Sequence, residues 1–358
     1  MNQILRLLAG VFLFFTSSGC SAGYLLQQGI SQLSLLLRQE PLDKAMERLP
    51  ANEAAKLRLV REIKNYAVQV IGLQDTGSYE RFVELKDPAL SHVLSAAPKD
   101  RLEPYQWNFP VVGAVPYQGF FDKQDALAAK KRLEEAGLDV HLRSVAAFSL
   151  LGFFSDPFYS SMLGYSAADL SNIIIHELTH ATVFITGNAQ FNESFATYVG
   201  NAGSLDFLMA YFGNAATPVR EARARLADDL VFSRFIQQAL TTLRRYYARL
   251  DLTTVQKVQG RQEIFAQLQR AFETLPLHDR NYSSFANAEL NNAYLLLFDT
   301  YQRDLTRFEQ LRDRFASLRA LVTFFRNRVA KQQDPETFLA RWEAEQPSTP
   351  PGQKIFDR

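Results

Sequence analysis

Two histidines and a glutamate near the middle of the chain have a spacing at which side chains of one helix can act together. Residues 173–180 read Ile-Ile-Ile-His-Glu-Leu-Thr-His, so His176 and His180 are four residues apart and Glu177 follows the first of them. On an α-helix, positions i and i+4 lie on one face, and both imidazoles can reach one zinc ion. Glu177 then lies beside the ion and can take a proton from a zinc-bound water instead of binding the metal.

A zinc site also needs a third ligand from the protein, with a fourth position left for water. Glu193 comes 13 residues after His180, beyond a turn signal at residues 186–188, and begins a second helical pattern. A turn there would let the second helix pack against the first and present Glu193 to the metal. The alternative is an ordinary first-turn glutamate, which the helix dipole stabilises. Asn192 and Thr197 are candidates for orienting the ligands.

The surrounding sequence predicts that the histidines lie on a buried helix. Ser166 and Asp169 are three residues apart, as in a capping box, and Asp169 places a carboxylate in the first turn. The isoleucines at 173–175 and Leu178 would bury the other faces of this helix. The alternative is a core helix whose histidines are satisfied by hydrogen bonds and bind no metal.

The composition indicates a globular protein and excludes several classes of function. The 358 residues are 47% hydrophobic and 22% charged, which is too apolar for a disordered chain and long enough for one or two cores. Lys and Arg number 39 against 38 Asp and Glu, and a net charge of +1 does not favour nucleic acid as a partner. A single cysteine excludes an internal disulfide and a cysteine-type zinc site, so a metal must be held by His, Asp or Glu.

The one cysteine follows a segment with the layout of a secretion signal. Residues 1–19 have a short polar start, an apolar stretch over residues 7–15 and small residues directly before Cys20. The apolar stretch is too short to span a bilayer and predicts a cleaved signal peptide. The small residues ending in Gly-Cys resemble the bacterial lipobox, which implies that Cys20 becomes the lipidated first residue of the mature chain. An ordinary signal peptide cut nearby is the alternative.

Longer segments around the zinc motif resemble known proteins. His-Glu-Leu-Thr-His, followed by Asn-Glu-Ser-Phe-Ala at residues 192–196, is similar to the gluzincin metallopeptidases, whose zinc is held by two histidines and a downstream glutamate. The segments at 111–121, 147–157 and 290–293, together with the zinc motif, resemble the family of bacterial lipoprotein aminopeptidases. The resemblance implies a gluzincin-like core and peptide-bond hydrolysis at one zinc ion.

Periodicity predicts an α+β fold that is predominantly helical, with one small sheet and long C-terminal helices. The sheet is expected at Val111–Val115 and Leu138–Phe148, on either side of a helix at Lys123–Ala136. Glycine and proline become frequent between residues 75 and 105, which indicates a loop-rich connection. The predicted organisation is a signal peptide at 1–19, an N-terminal helical region at 20–100, a zinc peptidase domain at 101–345 and a flexible tail at 346–358.

The function expected from these features is zinc-dependent peptide hydrolysis by an aminopeptidase of the bacterial cell envelope, with peptides or proteins as substrates. Ser21 after Cys20 resembles the lipoproteins sent to the outer membrane, so the expected location is that membrane, on its periplasmic side. One alternative is an endopeptidase that clears misfolded envelope proteins. Another is a zinc-binding scaffold without turnover, against which Glu177 argues because a structural site needs no base.

Several further residues are candidates for contacting the substrate, and no spacing selects among them. His278, Tyr282 and Tyr165 could stabilise an oxyanion, as a tyrosine or histidine does in gluzincins. The strand at Val145–Phe153 could pair with an extended substrate, or could be an ordinary sheet strand. Asn291 and Asn292 could bind a substrate terminus, or they could cap a helix. Glu221, Asp228 and Asp229 are among the carboxylates that could bind an α-ammonium group. The segment Arg244–Tyr247 could form a binding patch, or it could be a solvated and packed helix face.

Overall fold

The computed structural model describes residue 35 and residues 37–85, 91–109, 113–145, 155–278, 282–302 and 305–345. Several predictions lie outside these residues: the signal peptide at 1–19, lipidation of Cys20, the tail at 346–358 and most of the strand at 145–153. The first two residues of the predicted strand at 111–115 lie outside them as well.

Helices account for most of the described residues, which confirms the predominantly helical α+β class. They are α1 (Leu42–Arg48), α2 (Ala51–Tyr66), α3 (Lys123–Glu135), α4 (Ala167–Thr182), α5 (Ala189–Phe212), α6 (Thr217–Tyr247), α7 (Thr254–Phe272), α8 (Ser284–Asn287), α9 (Asn292–Gln302), α10 (Leu305–Arg312), α11 (Leu318–Phe324) and α12 (Pro335–Glu345). Short π-helical turns at Ala67–Ile71 and Phe325–Val329 extend α2 and α11. None of the described helices combines the length and the apolar character that a membrane crossing requires.

Eight short strands in the described part of the chain form three small sheets. They are β1 (Glu40–Pro41), β2 (Arg81–Val83), β3 (Ser91–Pro98), β4 (Trp107–Phe109), β5 (Gly113–Val115), β6 (Gln118–Phe120), β7 (Leu138–Val145) and β8 (Phe158–Tyr159). One sheet has the order β1-β2-β8, and another pairs β4 with β5. The central sheet has the order β6-β3-β7, with β3 antiparallel to both neighbours. The predicted helix at 123–136 and the strand that begins at Leu138 are present as α3 and β7.

The central strand β3 lies where the sequence predicts a loop-rich connection. The structure also has three small sheets, whereas the sequence predicted one. Its residues, Ser-His-Val-Leu-Ser-Ala-Ala-Pro, include one β-branched side chain and end in proline, so the local strand signal is weak. Pairing runs from Ser91 opposite Val145 to Pro98 opposite Leu138. Helix α3 packs on one face of β3 and α9 packs on the other. Because both faces of the strand are covered, its residues do not alternate between buried and exposed positions. Tertiary burial therefore overrides the local preference.

A cluster of phenylalanines holds the start of α5 against the C-terminal helices. The Phe195 ring stacks on that of Phe325 with 4.0 Å between the centroids, and Phe308 of α10 meets both rings edge-on. All three side chains are buried, and aromatic packing of this kind contributes strongly to a core. Because Glu193 lies two residues before Phe195, the cluster positions that carboxylate.

Candidate metal centre

The helix that carries the histidines, α4, begins at the predicted capping box. Ser166 Oγ accepts a hydrogen bond from the Asp169 N–H (3.0 Å), and Asp169 Oδ2 accepts one from the Ser166 N–H (3.3 Å). Arg225 of α6 forms an ion pair with Asp169. Burial acts to raise the pKa of Asp169, but the hydrogen bonds from Ser166 and the charge of Arg225 lower it below its ordinary value. These contacts fix where α4 starts and which face carries His176 and His180.

The connection between α4 and α5 is held by the side chain of Asn192. Its Oδ1 accepts a hydrogen bond from the Ile185 N–H (2.9 Å), and its Nδ2 donates one to the Ile185 carbonyl (2.8 Å). Gly187 supplies the turn with a φ of +78°, a conformation that favours glycine. Asn192, predicted to orient the ligands, thus orients the connection between their two helices. Thr197 lies half-buried farther along α5.

Glu193 lies in the second turn of α5, because this helix begins at Ala189. The alternative of a first-turn glutamate stabilised by the helix dipole is therefore wrong. The Glu193 side chain is only 8% exposed and faces α4. Gly203 lets the two helices lie close together, since a methyl group at this position would come within 2.7 Å of Ile71 Cδ1 and 3.1 Å of Ile175 Cγ2.

Three side chains converge between α4 and α5. His176 Nε2 and His180 Nε2 are 3.1 Å apart, and they lie 3.4 Å and 3.5 Å from Glu193 Oε2. His180 and Glu193 are buried, and His176 is partly exposed. The three ligand candidates that the sequence predicts are therefore together, and they could hold a metal ion.

The electrostatics of the cluster couple the carboxylate to the imidazoles. Burial acts to raise the pKa of Glu193, but His180 and His176 outweigh it and hold that pKa well below its ordinary value. Burial acts to lower the pKa of His180, but the charge of Glu193 outweighs it and raises that pKa. The site therefore stabilises an ionised carboxylate beside positive charge, which is the kind of charge that a metal ion supplies.

Glu177 lies outside the cluster of three and has an unpaired oxygen. Its Oε2 atom is buried, and no group in the described part of the chain donates a hydrogen bond to it. Burying an unpaired polar atom costs free energy, so such atoms mark positions for water, an ion or a reacting group. Burial raises the pKa of Tyr79 well above its ordinary value, and the charge of Glu177 adds to that rise, which places the phenol near this carboxylate. Tyr79 is also the one non-glycine residue with positive φ (62°) among those described.

Tyr117 contacts the cluster and was not predicted to do so. It lies between β5 and β6, and its hydroxyl donates a hydrogen bond to Glu193 Oε1 over 3.5 Å. No local pattern links it to the zinc motif, because the two residues are 76 positions apart. Tyr165, which the sequence made a candidate for stabilising an oxyanion, precedes α4. It lies eleven residues before His176, a separation that corresponds to about 16 Å along a helix axis.

The other predicted oxyanion candidates contact buried carboxylates. Asp229 accepts hydrogen bonds from the Tyr282 hydroxyl and the Asn201 amide, and burial raises its pKa to about 6. Asp228 accepts hydrogen bonds from the backbone N–H (2.8 Å) and ring Nδ1 (2.9 Å) of His278. Asp228 and Asp229 thus anchor neighbouring segments to α6, and no described contact joins them to the histidine cluster.

The two asparagines at the start of α9 have structural roles. Asn291 Oδ1 accepts a hydrogen bond from the Tyr294 N–H (2.9 Å) and so caps the helix. Asn292 is fully buried, and its Nδ2 donates to the carbonyls of Pro98 (2.8 Å) and Arg101 (3.1 Å). The helix-cap alternative is therefore confirmed for Asn291, whereas Asn292 joins α9 to the end of β3 and the loop that follows it.

The segment Arg244–Tyr247 packs against its neighbours as its structural alternative predicts. Arg244 forms an ion pair with the buried Asp299 (3.0 Å), and the Tyr247 hydroxyl donates to Asn292 Oδ1 (2.9 Å). Glu221 is exposed on the same helix, α6. These contacts join α6 to α9.

Comparison with known proteins matches the chain to a family described as putative aminopeptidase, over residues 23–337. Searches of curated proteins and of solved structures each found no significant match. The family match includes the histidine helix, Glu193 and all three sheets. The description of the family supports peptide hydrolysis. The chain therefore belongs to the putative aminopeptidase family.

Proposed function

We propose that this protein is a zinc-dependent peptidase that acts as an aminopeptidase, with His176, His180 and Glu193 as the zinc ligands. The proposal is supported above all by the distances among their donor atoms, which are 3.1, 3.4 and 3.5 Å. Ligand atoms at 2.0–2.1 Å from a tetrahedral zinc ion lie about 3.3–3.4 Å from one another. The donor set of two imidazoles and a carboxylate also fits zinc, and it leaves a fourth position open.

Zinc in such a site supplies Lewis acidity, which acidifies water and polarises a carbonyl group. Glu177 takes the proton from the attacking water and passes it to the leaving amine. This role is supported by the buried and unpaired Oε2 atom, which needs no other contact broken before it accepts a proton.

The hydrogen bond from Tyr117 to Glu193 Oε1 leaves Oε2 of that carboxylate directed at the histidines. Tyr117 therefore holds the carboxylate in its orientation.

We place this activity in the bacterial cell envelope, at the periplasmic side of the outer membrane, with lipidated Cys20 as the anchor. The support comes from the signal-like residues 1–19 and from the Gly-Cys-Ser sequence around the cleavage point. Mass spectrometry of the protein from membranes should find an acylated N-terminal cysteine. The variant Cys20→Ala should be released into the soluble fraction, while Ser21→Ala should stay lipidated and in the membrane. An unmodified Cys20 in the mature protein would contradict the anchor.

The enzymatic proposal is tested by metal analysis together with hydrolysis of a mixed peptide pool, using the full chain, Glu177→Gln and the exposed control Glu221→Gln. We expect all three proteins to bind one zinc ion per chain. The unmodified chain and the control should release single residues from free amino ends, and Glu177→Gln should be slower by about 10² to 10⁴-fold. Cleavage of peptides with blocked amino ends would instead indicate an endopeptidase. Bound zinc without turnover would favour a scaffold, and an active Glu177→Gln variant would exclude this mechanism.

A further inference from the structure

Helices α6 and α7 form a hairpin whose tip exposes apolar side chains. The two helices share an aromatic core and are joined by the short segment 248–253. At the tip, Leu250 is 99% exposed and Val255 is 64% exposed. No other large apolar side chain in the described part of the chain is as exposed as Leu250. Water therefore covers apolar surface at this end of the hairpin, which costs free energy unless a partner covers it.

The turn at the tip is held by hydrogen bonds. The Thr253 side chain accepts one from the Gln256 N–H (3.3 Å), and the Gln256 side chain accepts one from the Thr253 N–H (2.9 Å), which forms a capping box at the start of α7. The Tyr246 hydroxyl donates a hydrogen bond to the Gln256 carbonyl (3.1 Å) and so ties the end of α6 to the start of α7. Leu250 is thus held in water by a turn of fixed shape, and a partner that binds the tip orders few further groups.

Positive charge surrounds the tip. Residues 230–250 contain four arginines and no aspartate or glutamate. Arg245 is exposed in the last turn of α6, and Lys257 lies near the start of α7. Between them, Arg249 forms an ion pair with Asp251 (2.5 Å). The tip therefore keeps the positive charges of Arg245 and Lys257 in excess.

The neighbouring segment 99–103 does not change this excess. The Thr254 hydroxyl donates a hydrogen bond to the Asp100 carboxylate (3.2 Å), which brings the segment beside the tip. Arg101 forms ion pairs with Asp100 (3.1 Å) and Glu103 (2.8 Å). Because the segment carries two positive and two negative side chains, its own charges cancel.

We propose that this tip contacts a lipid bilayer that contains anionic lipid. Leu250 and Val255 enter the headgroup region, where apolar side chains gain free energy by leaving water. Arg245 and Lys257 lie against lipid phosphates, which attract basic side chains within about one Debye length. The five residues from Arg245 to Leu250 correspond to about 7–8 Å along a helix axis, which is within that range. The contact rests on the proposed envelope location, in which an anchor at Cys20 raises the effective concentration of the tip at the membrane.

Sedimentation with vesicles tests the contact on the Cys20→Ala protein, because without the proposed anchor only other contacts bind the protein to lipid. We expect this protein to bind vesicles of equal parts phosphatidylcholine and phosphatidylglycerol more tightly than vesicles of phosphatidylcholine alone. Adding Leu250→Ser should lower the partition coefficient about tenfold. The control Leu127→Ser changes an exposed leucine of α3 and should leave the partition coefficient unchanged.

The charges are tested with two matched pairs of substitutions. Arg245→Gln combined with Lys257→Gln should lower binding to the anionic vesicles about tenfold, since each basic side chain near an anionic surface adds to the attraction. Arg58→Gln combined with Arg132→Gln removes two exposed charges from α2 and α3 and should leave binding unchanged.

A fluorescent dye locates the contact on the molecule. Cys20→Ala removes the one cysteine of the chain, so Leu250→Cys then provides a unique thiol for an environment-sensitive dye. Its emission should shift to shorter wavelength when anionic vesicles are added, whereas the same dye on Leu127→Cys should show no shift. Circular dichroism checks the folding of each variant.

The contact would be overturned if the Cys20→Ala protein did not bind anionic vesicles, or if Leu250→Ser left the binding unchanged. Self-association that Leu250→Ser abolishes, without vesicle binding, would also overturn it, because a second copy would then cover the tip. The other proposals fail separately. The mass of the mature N-terminus decides the anchor, and peptide hydrolysis, which Leu250→Ser should not slow, decides the peptidase.

Discussion

Gly200 of α5 lies directly against His176 of α4. A methyl group at Gly200 would come within 3.2 Å of His176 Cβ and 3.1 Å of the Asn172 carbonyl oxygen. The missing side chain therefore sets how closely the helix that carries Glu193 approaches the helix that carries the histidines. The distances among the three donor atoms depend on this approach, because both ends of the cluster are fixed to their helices.

Replacing Gly200 with alanine should lower zinc affinity about tenfold, because metal–ligand distances tolerate changes of only about 0.2 Å. Alanine is also the better helix former by about 1 kcal/mol, so the variant should stay folded. Gly164→Ala is the control, since a methyl group at this exposed position before α4 meets no atom within 4 Å. Competition against a fluorescent chelator measures the affinity. Unchanged affinity in Gly200→Ala would show that the helix spacing does not limit the site.

Removing the Asn192 side chain should destabilise the protein by about 1–3 kcal/mol, because Asn192→Ala leaves the buried Ile185 N–H without its partner. It also removes one of the two hydrogen bonds to the Ile185 carbonyl, which keeps the one from the Asn188 N–H (3.1 Å). Asn188→Ala is the control in the same connection, where the exposed amide donates only long hydrogen bonds. It should cost less than about 0.5 kcal/mol. Urea unfolding followed by circular dichroism gives both values. Similar losses in the two variants would contradict the role of Asn192.

Removing the hydroxyl of Tyr117 should weaken zinc binding without affecting the fold. Tyr117→Phe takes away the hydrogen bond to Glu193 Oε1 and allows that carboxylate to rotate. Loss of such a supporting contact typically costs at least about tenfold in affinity. Tyr105→Phe, at a tyrosine that is 40% exposed, is the control. If the two variants bind zinc equally well, Tyr117 does not orient the ligand.

His141 should make the stability of the protein depend on pH between about 4 and 6.5. Burial lowers its pKa to about 4 in the folded protein, against about 6.5 in an unfolded chain. The unfolded chain therefore binds the proton more readily, so this contribution is complete above pH 6.5 and is lost as the pH falls towards 4. Between pH 7.5 and pH 5 the unmodified chain should lose about 2 kcal/mol more than His141→Gln. Urea unfolding at both values measures the difference, and equal losses would contradict it.

The cluster of His176, His180 and Glu193 could be predicted from the sequence because its parts are close along the chain. His176 and His180 share a helix face, and a capping box marks where that helix begins. A single turn then brings back Glu193, so the i, i+4 spacing and the turn signal were enough to select the three residues. The sequence also predicted that α5 packs against α4. It placed the start of α5 at Glu193, and the helix begins four residues earlier, at Ala189.

The sequence by itself thus determined the helical class, the capped histidine helix and the three ligand candidates, since these follow from helix periodicity and local turns. Only the tertiary structure decided that β3 is a central strand, because its small residues gain their strand conformation from partners on both sides. It also placed Tyr117 against Glu193, 76 positions away along the chain. These contacts join residues far apart in the chain, and their energy comes from packing between elements that no local pattern encodes.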